Sequence, residues 1–584
     1  MRKTKIVATI GPASNSEETL TKLFKAGADA ARINFSHGTY ESHTEAIETI
    51  KKVREALDLP IPLILDTKGP EIRTKTLKDE SVFLEKGQNF ILTTDDVEGD
   101  NTIVSVTYKD IVKDLRQGSI VLIDDGLIEL MVKEINETNV ICEVLNNAQL
   151  GQRKGVNLPD VHLSFPALTQ KDIDDIKFGI EMGFDYIAAS FIRSANDILE
   201  IRQILEQNNG LNIQIIAKIE NRDGVDNIDD ILEVADGIMV ARGDLGVEIP
   251  LEEVPMIQKK LIKKCKYKGK PVITATQMLE SMVNNPRPTR AEANDVANAI
   301  YDGSDAIMLS GETAKGGFPV EAVETMVKIA TKVEKSIDYV KEFSNQVTEH
   351  LTNITNAISH ATCTTAHDLN ASCIAAVSNS GYTVKKVSKY RPSCPILSLT
   401  PDEQVRRQLN LLWGCYPYVI EKVLTNTSDL FDIAANKSLE LDFAKKGDII
   451  IIVGGTPVGI TGTTNTLKVQ VVGDVIVKGR GVGTKIVSGR ANVITKLDDA
   501  EKLFQKGDIL VVSNTNNKLI PYIKKASAII VGSDRQDDFS HAETVGSALD
   551  IPVIICNENV VSLIQNSVII SVDPKKGLVY NGTI

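Results

Sequence analysis

With 584 residues, 42% of them apolar and 24% charged, the chain is too long for one compact core and too hydrophobic for a disordered one; at roughly 150 residues per domain it predicts three or four domains. A net charge of −13 disfavours nucleic acid and anionic membrane as partners, and the longest apolar stretches, such as Ile449–Val453, fall well short of the roughly 18 residues that span a bilayer. Seven cysteines, odd in number and never in C-x-x-C spacing, argue against a disulfide framework and against zinc, so the expected setting is a reducing cytoplasm.

Met1–Lys5 precedes an apolar stretch that ends at Gly11-Pro12, too short for a secretory leader, and reads as a lysine-flanked first strand. Short apolar runs ending in polar residues then recur: Lys5–Ile10, Ala30–Asn34, Leu63–Asp66, Tyr186–Ser190, Ile213–Lys218, Gly237–Ala241, Val272–Thr276 and Ala306–Ser310. Most are separated by helical periodicity, as in Glu17–Ala26 and Val254–Lys268, and eight alternating units predict an α/β fold, a (β/α)₈ barrel over 1–69 and 166–340. Buried staves alone would explain the runs but not the polar residues at their carboxyl ends: Asn34 and Ser36, Asp66 and Lys68, Lys218 and Glu220, Arg242 and Asp244, Thr276 and Gln277, Ser310 and Glu312. In such a barrel these strand ends meet on one face.

From about Pro70 to Phe165 the pattern changes to period two, as in Thr102–Thr107 and Ile120–Val132, with turn signals at Glu98–Asn101 and Asp124–Gly126. This predicts a β domain, 70–165, inserted at the rim, where it can act as a lid that excludes water. A further α/β region, 341–473, has strand-like runs at Cys373–Val377, Ile396–Leu399 and Ile449–Val453, and a last region, 474–584, has them at Ile509–Val512, Ala528–Val531 and Val553–Cys556.

Transfer of a phosphoryl group needs positive charge at the phosphate and a bridging metal. Arg32, Arg73 and Lys218 supply the charge, and Glu220 with Asp244, at neighbouring strand ends, suits one magnesium, which takes one or two protein carboxylates and fills its remaining positions from substrate and water. There is no P-loop; Gly479–Gly483 lacks its lysine spacing and reads as a turn.

The segments Arg32–Gly38 (RINFSHG), Asp66–Arg73 (DTKGPEIR), Ala217–Asn221 (AKIEN), Met239–Gly246 (MVARGDLG), Ala275–Met282 (ATQMLESM) and Met308–Ala314 (MLSGETA) resemble, in order, the signature blocks of pyruvate kinase. The resemblance covers about residues 1–473 and implies transfer of a phosphoryl group from phosphoenolpyruvate to ADP. It implies that Lys218 stabilises that group, that Arg32 contacts the phosphate, that Glu220 and Asp244 hold Mg²⁺ (or Mn²⁺), and that Gly243, Asp244 and Thr276 meet the substrate carboxylate. Asn34, Ser36, Asp66 and Thr67 match a K⁺ site, and Glu71 is the residue type of potassium-dependent members. Asn34, Phe35, Ser36, His37, Arg73 and Lys154 match positions that bind ATP or ADP, while Ser310 and Glu312 fall on the proton path to pyruvate. Family members are usually homotetramers, and a sugar-phosphate or nucleotide activator binds a loop matched here by Ser378, Asn379, Ser380, Gly381 and Thr383, a segment that would otherwise read as a helix N-cap.

The last region looks like the swivelling phosphohistidine domain of phosphoenolpyruvate-utilising enzymes, through Phe539–Ala542, Gly546 and Leu549–Val553. The approach Ser533–Asp538 lacks the glycine-rich pattern and adds acids that would repel phosphate, so His541 is expected to be a structural relic and the domain an assembly or stability module. His37, in a tight Ser-His-Gly turn, likewise reads as a structural hydrogen-bonder. Two rivals stand beside the kinase: an aldolase with a Lys218 Schiff base, which Glu220 two residues on opposes by favouring a charged lysine, and a catalytically dead metabolite-binding protein, which the presence of Lys218, Glu220 and Asp244 opposes.

Overall fold

The computed structural model describes residues 1–164, 166–345, 353–420, 427–456, 462–496, 504–533 and 539–583. It comprises two compact units, Met1–Leu351 with Ser378–Val423, and Thr352–Val377 with Leu424–Ile584. The expected end of the lid at Phe165 and most of the acidic approach, residues 534–538, lie outside the described residues.

In the first unit, all eight expected barrel strands form, each within a residue of its expected ends: β1 Lys5–Thr9, β2 Ala30–Asn34, β3 Leu63–Asp66, β4 Tyr186–Ala189, β5 Gln214–Ile219, β6 Gly237–Ala241, β7 Val272–Ala275 and β8 Ala306–Leu309. They close in the ring β1-β8-β7-β6-β5-β4-β3-β2, every neighbour parallel. Flanking helices start and stop on local signals: Ser16 caps Glu17–Ala26, Gly27 ends it with φ 117°, and Thr169 caps Gln170–Glu181 in a capping box.

Side chains on a strand alternate between the two faces, and this alternation builds the site. Ala30, Ile64, Ala188 and Ile216 fill the barrel interior with Val7, Tyr186, Met239, Ile273 and Met308. Two residues further along the same inward face stand Arg32, Asp66, Ser190 and Lys218, so a layer of charge sits directly on the apolar layer. At the opposite, amino end, Leu411 joins the interior cluster and closes it.

The inserted β region has a six-stranded sheet and a separate two-stranded pair, with a core that includes Phe90, Val121, Leu130 and Val140. Its hairpin Ile120–Ile123 to Ile128–Ile135 turns through Asp124, Asp125 and Gly126 at φ 58°, 55° and 85°, the positive angles a tight hairpin needs and that Asp-Gly sequences tolerate. Ser378–Val423 adds a parallel pair of strands, Ile396–Thr400 with Cys415–Val419.

In the second unit, Cys373–Val377 pairs in parallel with Ile449–Gly455, which pairs antiparallel with Thr464–Val471. An eight-stranded sheet comes next, containing the three strands expected at Ile509–Val512, Ala528–Gly532 and Val553–Cys556. The glycine-rich segment 479–483 is not a turn: Arg480–Val482 is a strand, antiparallel to Val553–Cys556. A Cβ on Gly481 would stand 1.8 Å from the Pro574 carbonyl oxygen, so glycine here permits close backbone approach within a sheet.

Candidate active site

Three neighbouring strands converge on Lys218. Its ammonium donates to Asp66 Oδ1 at 3.0 Å and to Ser190 Oγ at 2.6 Å, and lies 3.0 Å from Glu220 Oε1. Asp66 presents its other oxygen to Arg32 Nε at 2.7 Å, and Arg32 Nη1 donates to Thr9 Oγ1 at 2.9 Å. These groups are nearly all inaccessible: Asp66 and Glu220 are 1% exposed, Arg32 8% and Lys218 9%.

The electrostatics come from that burial. Desolvation alone would lower the Lys218 pKa, but the Asp66 and Glu220 carboxylates outweigh it and hold the ammonium above its ordinary value. A lysine so fully protonated is suited to stabilising a phosphoryl group and unsuited to a Schiff base. Desolvation opposes the Asp66 carboxylate, yet Arg32 and Lys218 keep its pKa low. Glu220 is pushed up to about 7 by burial, with the charge of Asp244 adding to the effect against the pull of Lys218. Asp244 is raised by burial as well.

A second group forms at the end of β7. Thr276 and Gln277 have φ of 68° and 54°, a conformation that costs a β-branched residue ~1–3 kcal/mol. The turn is held by Arg242, whose guanidinium donates to Thr276 O at 2.7 Å and pairs with Asp295 at 2.8 Å. In this turn Thr276 Oγ1 accepts from Gly243 N at 2.8 Å, which ties the start of helix Arg242–Glu248 to the neighbouring strand end. At β8, Glu312 accepts from Ser310 N at 2.7 Å and Leu279 N at 3.0 Å, and burial raises its pKa. Ser310 Oγ is buried and has no hydrogen-bond partner.

The residues matched to nucleotide are spread between the barrel and the inserted β region. Asn34 is in register with Asp66, its Oδ1 accepts from Ser36 N at 3.0 Å, Phe35 is buried and stacked on His43, and His37 is exposed. In the inserted β region, Arg73 pairs with Glu71 at 2.6 Å and donates to Arg153 O at 2.9 Å, while Lys154 pairs with Asp124 at 3.0 Å. A cavity of about 220 Å³ lies between the two, lined from the inserted β region by Glu71, Asp125 and Asn157 and from the barrel by Phe191, Asp244 and Glu248. Asn157 Nδ2 donates to Glu248 Oε1 at 2.8 Å across it.

The residues that the resemblance matches to an effector loop stand apart from this site. Ser378 N donates to Leu399 O at 3.0 Å, Asn379 O lies 3.5 Å from Thr400 Oγ1, Ser380 is exposed, and Gly381, with φ 74°, opens the helix Tyr382–Ser388 in which Thr383 is buried. In the second unit, both ring nitrogens of His541 are engaged, by Thr515 Oγ1 at 2.9 Å and Asn517 Oδ1 at 3.1 Å.

Comparison with known proteins decides the family. The signature of the pyruvate kinase barrel domain matches residues 1–323, that of the pyruvate kinase alpha/beta domain residues 356–470, and that of the mobile domain of PEP-utilising enzymes residues 504–577. The chain belongs to the pyruvate kinase family. A pyruvate kinase of Staphylococcus haemolyticus is 50% identical over 100% of this chain and 99% of its own, and one of Bacillus licheniformis 48% identical over the same shares. A crystal structure of a pyruvate kinase from Cryptosporidium parvum superposes with a TM-score of 0.77 at 40% identity, covering 80% of this chain and 96% of that one. The chain is accordingly a phosphotransferase that moves the phosphoryl group of phosphoenolpyruvate to ADP, giving pyruvate and ATP in the last step of glycolysis.

Against this family background, the contacts that the sequence did not disclose are those made by Ser190, Thr9, Asn157 and Asp295. Ser190 carried a usable signal, since it ends an apolar run as Asp66 and Lys218 do.

Proposed function

We propose that the transfer is carried by the layer of charge at the carboxyl end of the barrel, with Lys218 at its centre. The observation that supports this most is the convergence of Asp66, Ser190 and Glu220 on one buried ammonium. Lys218 and Arg32 face the phosphoryl group, Gly243, Asp244 and Thr276 receive the carboxylate end of phosphoenolpyruvate, and Arg73 and Lys154 with the Asn34–His37 turn receive the nucleotide. Positioned charge of this kind suffices for much of phosphoryl transfer, because the reaction asks for electrostatic stabilisation of a dispersed negative charge.

Two cations fit the donor sets. Glu220 and Asp244 are buried carboxyls at adjacent strand ends, both disfavoured as anions where they stand, and a hard divalent cation such as Mg²⁺ or Mn²⁺ would relieve that. Asn34, Ser36, Asp66 and Thr67 offer oxygens only, a set suited to K⁺, and Glu71 belongs with it. A bound divalent cation would neutralise charge on the phosphoryl oxygens. The protein's own part is to hold Lys218 and Arg32 charged and aimed, and to exclude water as the lid meets the rim of the cavity.

For the proton that converts enolpyruvate to pyruvate, Ser310 Oγ is the apt group, being buried and unpaired, with Glu312 holding the backbone of its turn. The loop of Ser378, Asn379, Ser380, Gly381 and Thr383 would take the phosphate of an effector. The reading of separate lid (70–165), effector (341–473) and terminal (474–584) domains, homotetrameric assembly and a cytoplasmic setting completes the proposal; no helix among the described residues is long and apolar enough to cross a membrane.

Pyruvate formation from phosphoenolpyruvate and ADP, assayed with magnesium and with or without potassium, tests the metal assignments. Turnover that requires both cations supports them. Potassium-independent turnover would remove the Asn34–Thr67 site and the role of Glu71, and magnesium-independent turnover would remove Glu220 and Asp244 as metal ligands.

A further inference from the structure

Ser190 sits at the end of β4, 4% exposed, and its hydrogen bonds admit a single reading. A hydroxyl has one proton and two lone pairs. Thr67 O, 2.6 Å away, is a carbonyl oxygen and only accepts; Lys218 Nζ, also 2.6 Å away, is an ammonium and only donates. The Ser190 proton therefore goes to Thr67 and its lone pair faces Lys218. Ser190 N completes a second link by donating to Thr67 Oγ1 at 3.1 Å.

The next residue extends the arrangement. Phe191 takes a φ of 55°, and in that conformation its N–H donates to Glu220 Oε2 at 2.6 Å. One short turn thus orients both Lys218 and Glu220. It fits against Gly69, where a Cβ would meet Ser190 Cβ at 2.8 Å and Phe191 Cδ2 at 2.9 Å, so the opposing chain leaves room for it only as glycine.

We propose that Ser190 is a positioning residue that couples Thr67, a member of the monovalent-cation set, to the aim of the Lys218 ammonium. Occupation of that set fixes Thr67, Thr67 fixes the Ser190 hydroxyl, and the hydroxyl fixes Lys218, whose remaining two partners are the acids Asp66 and Glu220. This rests on the cation site proposed above.

The test uses the full-length enzyme and the variants Ser190→Ala, Ser190→Cys and Ser190→Thr. Two titrations with potassium chloride against tetramethylammonium chloride are run on each: the rate with magnesium, and the thermal unfolding midpoint without substrate. Loss of one hydrogen bond to a charged group predicts that Ser190→Ala lowers kcat by about tenfold or more while the KM for phosphoenolpyruvate stays within about twofold. Its half-saturating potassium should rise at least about threefold in both titrations. Ser190→Cys, with a weaker donor at the same position, should shift both in the same direction and serves if Ser190→Ala does not fold. Ser190→Thr, which keeps the hydroxyl, should restore them. Wild-type rate and potassium midpoint in the alanine and cysteine variants would overturn the proposal, as would a lost rate with an unmoved potassium midpoint in the unfolding titration. A wild type whose melting and rate both ignore potassium overturns the cation site itself, and the coupling with it.

Discussion

Both ends of the barrel bury charge, but they do so differently. At the amino end, Asp305 accepts from Arg391 at 2.9 Å and from Val272 N at 3.1 Å, Asp185 accepts from Arg407 at 3.0 Å and from Leu63 N at 2.9 Å, and Lys5 donates to Cys415 O at 2.6 Å. These partners come from Ser378–Val423 and from the strand bases, and Leu411 closes the interior beneath them. At the carboxyl end, Glu220 and Asp244 stand at adjacent strand ends, Asp244 lines a cavity shared with the inserted β region, and Ser310 Oγ has no partner. Charge enclosed by its own chain holds a fold together, whereas charge left facing a cavity is available to a ligand.

The comparison breaks most readily at Lys218. Lys218→Met should lower the rate of pyruvate formation by ~10³-fold, the scale of losing one electrostatic group at a transferring centre. Asp66 keeps Arg32 and Glu220 keeps Phe191 N, so the fold should survive. At the other end, Arg391→Met leaves the Asp305 carboxylate buried beside an apolar side chain and should cost ~3–5 kcal/mol in denaturant unfolding, with the rate per folded molecule kept.

Glu248 lies between these extremes. Burial pushes it up to about 7, against the hydrogen bond from Asn157. A carboxyl whose folded pKa exceeds its ordinary value stabilises the fold fully below that ordinary value, and the contribution is lost as pH rises through about 7. Glu248→Gln keeps an oxygen for Asn157 and removes the charge, so the variant should be ~1–2 kcal/mol more stable than the parent near pH 8, with the gap closing below about pH 4. Identical pH profiles for the two proteins would show that Glu248 ionises freely. The smallest effect belongs to Lys385, which donates to Gln214 at the base of β5 at 3.1 Å: Lys385→Met should cost ~1 kcal/mol in unfolding and leave basal kcat within about twofold.

How much of this was legible in the sequence varied with the kind of signal. Barrel strands are covered on both faces and therefore read as continuous apolar runs, which is why their ends were placed to within a residue. The hairpin of the inserted β region announced itself through alternation and Asp124-Asp125-Gly126. Gly479–Gly483 misled because glycine marks both turns and close sheet contacts, and only the position of Pro574 distinguishes them. Ser190 was passed over because a serine after an apolar run is common; its meaning comes from ring closure, which sets β3 and β5 on either side of β4. The backbone of Thr276 left no trace in its own sequence, since the angle is imposed by Arg242 and Asp295 from other elements.

The most direct test of the difference between the two ends is to measure Lys218→Met and Arg391→Met side by side, each for rate per folded molecule and for unfolding free energy. The predicted result separates the two ends by rate, with Lys218→Met losing ~10³-fold per folded molecule and Arg391→Met losing ~3–5 kcal/mol of stability at near-normal rate. Near-normal turnover by Lys218→Met, or an equal loss of rate in both variants, would contradict it.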